Sequence, residues 1–108
     1  MAYDKTISAR IDKLIRNKKN FTQKKLIGGV GYMYNGNICI GVYKDELLIR
    51  CFPEETDALI ARKNVRAFDI TSKPMKGWLL VSKDGIKGRD LQKWFEKSLA
   101  FVQTLPKK

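Results

Sequence analysis

Asn35-Gly36 sits between two apolar runs and commits the middle of the chain to an antiparallel β-hairpin. Both positions of a two-residue hairpin turn need positive φ, which asparagine and glycine tolerate and most residues do not. Before the turn, Ile27 to Tyr34 alternates, with Val30, Tyr32 and Tyr34 on one face and Gly29, Gly31 and Met33 on the other. Glycines along one strand face mark a place where another backbone, such as a helix, approaches closely. After the turn, Ile38 to Tyr43 is the returning strand, Lys44-Asp45-Glu46 the next turn and Leu47 to Phe52 a third strand.

The flanks read as helices and two more strands. Tyr3, Ile7, Ile11, Leu14 and Ile15 form one apolar stripe at helical spacing, and Lys5, Lys13 and Arg16 fall on the opposite face. Asn17 to Lys25 is polar and basic and reads as a connection. Pro53 to Lys63 reads as a short helix: Glu54, Glu55 and Asp57 crowd its first turns, Arg62 and Lys63 finish it, and Asn64 ends it in the left-handed conformation. Val65 to Ile70 and Trp78 to Ser82 are strand candidates linked through Pro74, and Asp84-Gly85 turns the chain again. Asp90 is the expected cap of a last helix whose stripe runs through Leu91, Trp94, Phe95, Leu99, Val102 and Leu105, with Pro106 closing it.

The expected order is thus α-β-β-β-α-β-β-α, an α+β fold with a largely antiparallel five-stranded sheet. Its 108 residues suit one domain over 1–108, with a frayed basic tail at 107–108. No apolar run approaches the ~18 residues of a membrane span, and the N-terminus lacks a signal-peptide core, so cytoplasmic residence is expected.

Charge narrows the function classes. Lys and Arg number 22 against 11 Asp and Glu, and histidine is absent. Between Lys5 and Lys25 lie eight basic residues and one acid, Asp12, which places +7 of the net +11 in that segment. Such charge sets partners and association rates, and it selects polyanions or acidic protein surfaces. Lys13, Arg16, Lys18, Lys19, Lys24 and Lys25 are the candidate partner- or nucleic-acid-binding residues.

Catalysis finds little support. Without histidine the commonest general base and the commonest metal ligand are both missing. Ser8, Ser72, Ser82 and Ser98 have no histidine to activate them. Asp45-Glu46 and Glu54-Glu55 are sequence neighbours, not facing pairs. Convergent acids in an apolar pocket near Asp69 or Asp84 would be the sign of a small enzyme. Gly28-Gly29-Val30-Gly31 fails as a phosphate loop, because the last position of a G-x-G-x-x-G count is Tyr34 and a strand follows. Cys39 and Cys51 are too few for a zinc site. A three-residue loop between their strands would set them opposite one another; a two-residue turn would put them out of register. In a reducing compartment two buried thiols are expected. No catalytic residue, metal or cofactor is therefore expected.

Several segments carry a family resemblance, in order, from Ile11 to Pro106. These are Gly28-Gly29-Val30-Gly31, Asn35-Gly36-Asn37, the strand with Leu48-Ile49-Arg50, the hexapeptide Lys73-Pro74-Met75-Lys76-Gly77-Trp78, and Leu99-Ala100-Phe101. Together they resemble the TfoX (Sxy) N-terminal domain family, with Leu26-Ile27 standing where that family has Met-Phe. Gly28, Gly29, Gly31, Asn35, Gly36 and Lys73 to Trp78 are the motif residues, read as structural. In the hexapeptide, Pro74 forces an extended approach and Gly77 permits close packing. Its favoured role is to anchor Trp78 in the core; the sharper alternative is a basic recognition loop.

The resemblance implies a small α+β domain linked to bacterial transcription regulation. Two-domain members promote competence by cooperating with a cAMP-responsive activator, and this chain is expected to be a stand-alone first domain. The leading expectation is a non-enzymatic regulatory module whose basic surface meets an acidic partner protein or nucleic acid. Its rivals are a direct, non-sequence-specific DNA or RNA binder and a small enzyme. A purely solubilising basic face is the bland reading. No membrane role is expected, because the apolar face of the first helix is needed for the core. An exposed apolar strand face would mark a homodimer.

Overall fold

The computed structural model describes residues 3–26, 28–68 and 76–107. Helix α1 (Lys5–Ile15) starts where Asp4 caps it, its Oδ1 accepting from the N–H groups of Thr6 at 2.9 Å and Ile7 at 3.1 Å. The same carboxylate pairs with Lys83 Nζ at 2.8 Å, and the Asp4 N–H donates to the Lys44 carbonyl. The helix start is thereby fastened to two loops.

Six strands follow: β1 (Phe21–Leu26), β2 (Gly29–Tyr34), β3 (Asn37–Tyr43), β4 (Glu46–Arg50), β5 (Val65–Ala67) and β6 (Trp78–Val81). They form one antiparallel sheet in the order β1-β2-β3-β4-β6-β5. The α+β class with an antiparallel sheet is as expected. The strand number is corrected from five to six, because residues expected in a connection form β1. Thr22 to Lys25 are all exposed, and only Phe21 and Leu26 are partly covered. Periodicity reports burial, so an edge strand with solvated side chains leaves no alternation to read.

Asn35 and Gly36 adopt φ of 51° and 87°, and Tyr34 pairs with Asn37 across the expected two-residue turn. The β3–β4 connection is shorter than expected. Lys44 takes a φ of 56°, Glu46 pairs with Tyr43, and Lys44-Asp45 alone makes the turn. Cys39 and Cys51 are consequently out of register, both as buried free thiols. A bulge follows Tyr32: Tyr32 opposes Ile40 and Met33 opposes Ile38, leaving Cys39 as the extra residue. At Gly29 the close approach comes from neighbouring β3, and at Gly31 from β1, not from a helix. A Cβ on Gly29 would run into the Val42 carbonyl oxygen, and one on Gly41 would lie 2.5 Å from that of Val30.

One sheet face carries Val30, Tyr32, Ile40, Val42, Leu47, Ile49, Leu79 and Val81, all essentially without solvent exposure. Helix α1 and helix α3 (Asp90–Val102) cover it, burying Ile7, Ile11, Leu91, Trp94, Phe95 and Val102 against it. Ser8 Oγ meets the Tyr32 hydroxyl at 2.6 Å, and Ser98 Oγ bridges the Arg50 backbone. Helix α2 (Thr56–Ile60) follows a 3-10 turn at Pro53–Glu55 and packs beside β5. It stops before Arg62 and Lys63, and Asn64 turns left-handed with φ 71°.

Asp90 is the first residue of α3, not its cap; Arg89 holds that position without a side-chain bond. The helix ends before Pro106 is reached, with Thr104 N–H and Oγ1 both donating to the Phe101 carbonyl. Trp78 does not join the core under the helices. It lies half-buried on the opposite face, where Leu48, Leu80, Phe68 and Tyr43 complete a smaller cluster. No helix among the described residues is long and apolar enough to cross a membrane.

Candidate functional site

The six candidate basic residues lie along one exposed stretch: Lys13 and Arg16 at the end of α1, Lys18 and Lys19 in the connection, Lys24 and Lys25 on edge strand β1. Lys24 and Lys25 are consecutive on a strand and so project to opposite sides of the sheet. Lys25 shares the helix side with Gln23; Lys24 lies on the other side with Thr22. The stretch is thus a band around the sheet edge and not a single flat patch. Five ion pairs are present among the described residues, at Arg66–Glu46, Lys76–Asp57, Lys83–Asp4, Lys87–Asp84 and Lys97–Glu55. No side chain of the band forms an ion pair with a described carboxylate.

The described residues of the glycine-and-asparagine motif take turn conformations or closely packed positions. Gly28 has a φ of 77°, and its carbonyl accepts from Lys44 N–H. Gly31 receives the Leu26 side chain, 3.0 Å from where a Cβ would stand. Lys73, Pro74 and Met75 lie outside the described residues, as do Asp69 and Ile70. Lys76 is exposed and pairs with Asp57 at 3.6 Å. Gly77 has a φ of 86°, its N–H donates to Thr56 Oγ1 at 2.7 Å, and its carbonyl accepts from Cys51 N–H. Gly77 therefore fixes where β6 begins and sets Trp78 opposite Arg50.

That pairing creates a feature the sequence reading missed. The Arg50 guanidinium carbon lies 4.0 Å from the Trp78 ring centroid and 5.1 Å from that of Phe101. One Nη1–H donates to the Ile38 carbonyl at 3.1 Å. Nε is buried without an acceptor, and Arg50 has no carboxylate partner among the described residues. Burial pulls its pKa below the usual arginine value, and no carboxylate opposes that. Arg50 and Trp78 line a cleft of about 480 Å³ with Met33, Ile38, Leu105 and Pro106. Buried Asn37 sits at its wall, donating from Nδ2 to the Pro106 carbonyl at 2.9 Å. A charged residue closing the apolar run Leu47-Leu48-Ile49 was the available signal. Its partners came from strands and a helix that only the fold brings together.

The thiols nearest Arg50 are inert. Burial pushes Cys39 up to about 12, and burial likewise raises Cys51, so neither supplies a compensating thiolate at neutral pH. Burial also raises the Tyr32 phenol, whose oxygen sits among Ser8 Oγ, the Ser8 carbonyl and Gln23 Nε2. A second cavity, of about 230 Å³, includes Asp84 and Asp90, but Arg62, Lys63 and Lys93 line it too, and Asp84 pairs with Lys87 at 3.3 Å. Those acids are not an isolated pair in an apolar pocket. No group of three or more metal-binding side chains forms among the described residues.

No curated protein and no solved structure matches the chain. The family model described as the TfoX N-terminal domain matches residues 13–102, which takes in the end of α1, the whole sheet and all of α3. On that match the chain belongs to the TfoX N-terminal domain family.

Proposed function

We propose that this domain is a non-enzymatic regulatory binding module that docks an acidic surface of a partner protein through the band from Lys13 to Lys25. The carrying observation is the placement of charge. The described ion pairs all lie elsewhere, while Lys13, Arg16, Lys18, Lys19, Lys24 and Lys25 stay exposed and unpaired among the described residues. Such a surface attracts polyanions and accelerates encounter with them. Membership in a family tied to regulation supports a module of this kind.

The band also lacks a base-stacking platform. Its one aromatic, Phe21, turns inward onto Tyr34 at 5.2 Å and Phe95 at 5.9 Å between ring centroids. Proteins that track single strands pair basic grooves with exposed aromatics. That favours an acidic protein over single-stranded nucleic acid.

The test is fluorescence anisotropy over a salt series with a labelled glutamate-rich peptide, duplex DNA and single-stranded RNA. A variant with Lys18, Lys19, Lys24 and Lys25 changed to Glu serves as control. Peptide binding that weakens as salt rises and is lost in the variant, with DNA and RNA bound no more tightly, is the expected result. Tighter binding to DNA or RNA, with a log–log salt slope that falls by about 3 to 4 in the variant, would replace this reading with direct nucleic-acid binding. Binding to none of the three at low salt would leave the band a solubility device.

A further inference from the structure

We infer that the Arg50 cleft is a binding site for a small organic carboxylate with an apolar body. This goes beyond the docking role proposed above and rests on a different part of the molecule.

Arginine is rarely withdrawn from water without a partner for its charge. Arg50 is half-buried with no described carboxylate beside it, and both neighbouring thiols are held neutral by burial. The rings of Trp78 and Phe101 offset part of that desolvation through cation–π contact, and they hold the guanidinium in place. The Ile38 carbonyl engages Nη1. With Nη1 engaged and Nε out of water, Nη2 is the donor left for a ligand, and no acceptor is described for it. A carboxylate oxygen accepts a charge-assisted hydrogen bond from such an N–H group. A guanidinium held in place without a counter-charge is organised for an anion before the anion arrives.

The walls decide which anion. Met33, Ile38, Trp78, Leu105 and Pro106 are apolar; among the described lining residues the cations are Arg50 and Lys107, and of these only Arg50 is partly buried. A phosphate, carrying up to two charges and three acceptor oxygens, wants several donors and more than one close cation. A monocarboxylate is matched by one guanidinium, and its hydrocarbon part by the walls. At about 480 Å³ the cleft lies within the range of small-molecule pockets.

The experiment titrates the full chain with phenylacetate and hexanoate, with phenylacetamide and hexanamide as neutral isosteres, and with phenyl phosphate. The readout is the 15N–1H signal of Arg50 Nε and of the Trp78 indole. Saturable shifts of both signals by the carboxylates are expected, at about millimolar affinity for probes of this size. The amides should bind at least ~10-fold more weakly, the loss expected when a charge-assisted pair is removed. Arg50→Lys keeps the charge and removes the planar guanidinium held against Trp78 and Phe101, and should weaken phenylacetate ~10-fold or more. Leu105→Glu leaves Arg50 in place and adds a competing carboxylate at the rim, and should do the same. Equal binding of acid and amide, unchanged binding by both variants, tighter binding of phenyl phosphate, or no shift at 20-fold above ~1 mM would each overturn the assignment.

Discussion

Ser98→Ala tests how the sheet and α3 depend on one hydroxyl. The β3–β4 ladder ends at Ile40 opposite Ile49, next to the bulged Cys39. The Arg50 peptide, one residue further along, bonds to α3 instead of to β3. Its N–H donates to Ser98 Oγ at 3.0 Å, and that hydroxyl donates to the Arg50 carbonyl at 3.2 Å. Ser98 is fully buried, so water cannot substitute when the hydroxyl is removed. Each orphaned backbone group costs about 1–3 kcal/mol, and partial relaxation brings the pair to ~2–4 kcal/mol. For a domain of this size that lowers the melting temperature by roughly 10–25 °C. Urea unfolding followed by tryptophan fluorescence and far-UV circular dichroism gives the value directly, with the slope m unchanged. Ser8→Ala is the control: the Tyr32 hydroxyl keeps Gln23 Nε2 and the Ser8 carbonyl, so ~1 kcal/mol is expected. A loss below ~0.5 kcal/mol for Ser98→Ala would falsify the claim that this hydroxyl replaces a strand partner.

Three further perturbations probe separate links. Gly41→Ala puts a Cβ 2.5 Å from the Val30 carbonyl oxygen, a backbone atom that cannot swing aside, so a loss of ~2 kcal/mol or more is expected in the same assay. Lys83 holds the Asp4 carboxyl below its ordinary value of 3.8, so the carboxylate adds stability that is complete above that pH and is lost as pH falls through the lower folded-state value. The stability gap between the wild-type chain and Asp4→Asn should therefore be constant from pH 7 to 5 and close toward pH 2; a gap that widens in acid would contradict the assigned sign. Cys39 and Cys51 should resist Ellman's reagent at pH 8 in the folded protein and react fully in urea, because burial keeps both as thiols; prompt native labelling of either would refute their burial.

The parts of the fold legible in the sequence are those where burial is one-sided. The stripes from Ile7 to Ile11 and from Leu91 to Val102 each announce an element because one face meets the core, and the Asn35-Gly36 turn announces itself because both residues accept positive φ. Strand β1 meets the core only through Phe21, and its pairing with β2 uses backbone groups that carry no side-chain pattern. The Lys44-Asp45 turn was misjudged by one residue because Lys44 adopts a positive φ that its side chain does not advertise. For the site, exposure of a lysine-rich run follows from composition. The Arg50 cleft does not, since it needs β4 beside β6, α3 behind Arg50, and the chain end near Asn37. Those are three separate long-range contacts, and no local window contains them.

The band and the cleft meet at one turn. Asn35 N–H donates to the Asn20 carbonyl at 3.0 Å, which ties the Lys18-Lys19 connection to the hairpin turn whose Gly36 lines the Arg50 cleft. Two lysines in a connection tied to that turn raise the local concentration of anions without touching them, and their influence reaches only about a Debye length. Charge reversal at Lys18 and Lys19 should therefore weaken phenylacetate binding by about 2- to 5-fold at 20 mM salt, and the difference should vanish near 0.5 M, where screening cuts the reach to a few ångströms. Arg50→Lys should behave differently, its loss persisting at high salt because a desolvated contact is little screened. If both losses disappear together as salt rises, the guanidinium acts only as one more surface charge, and its placement against the rings has no part in recognition.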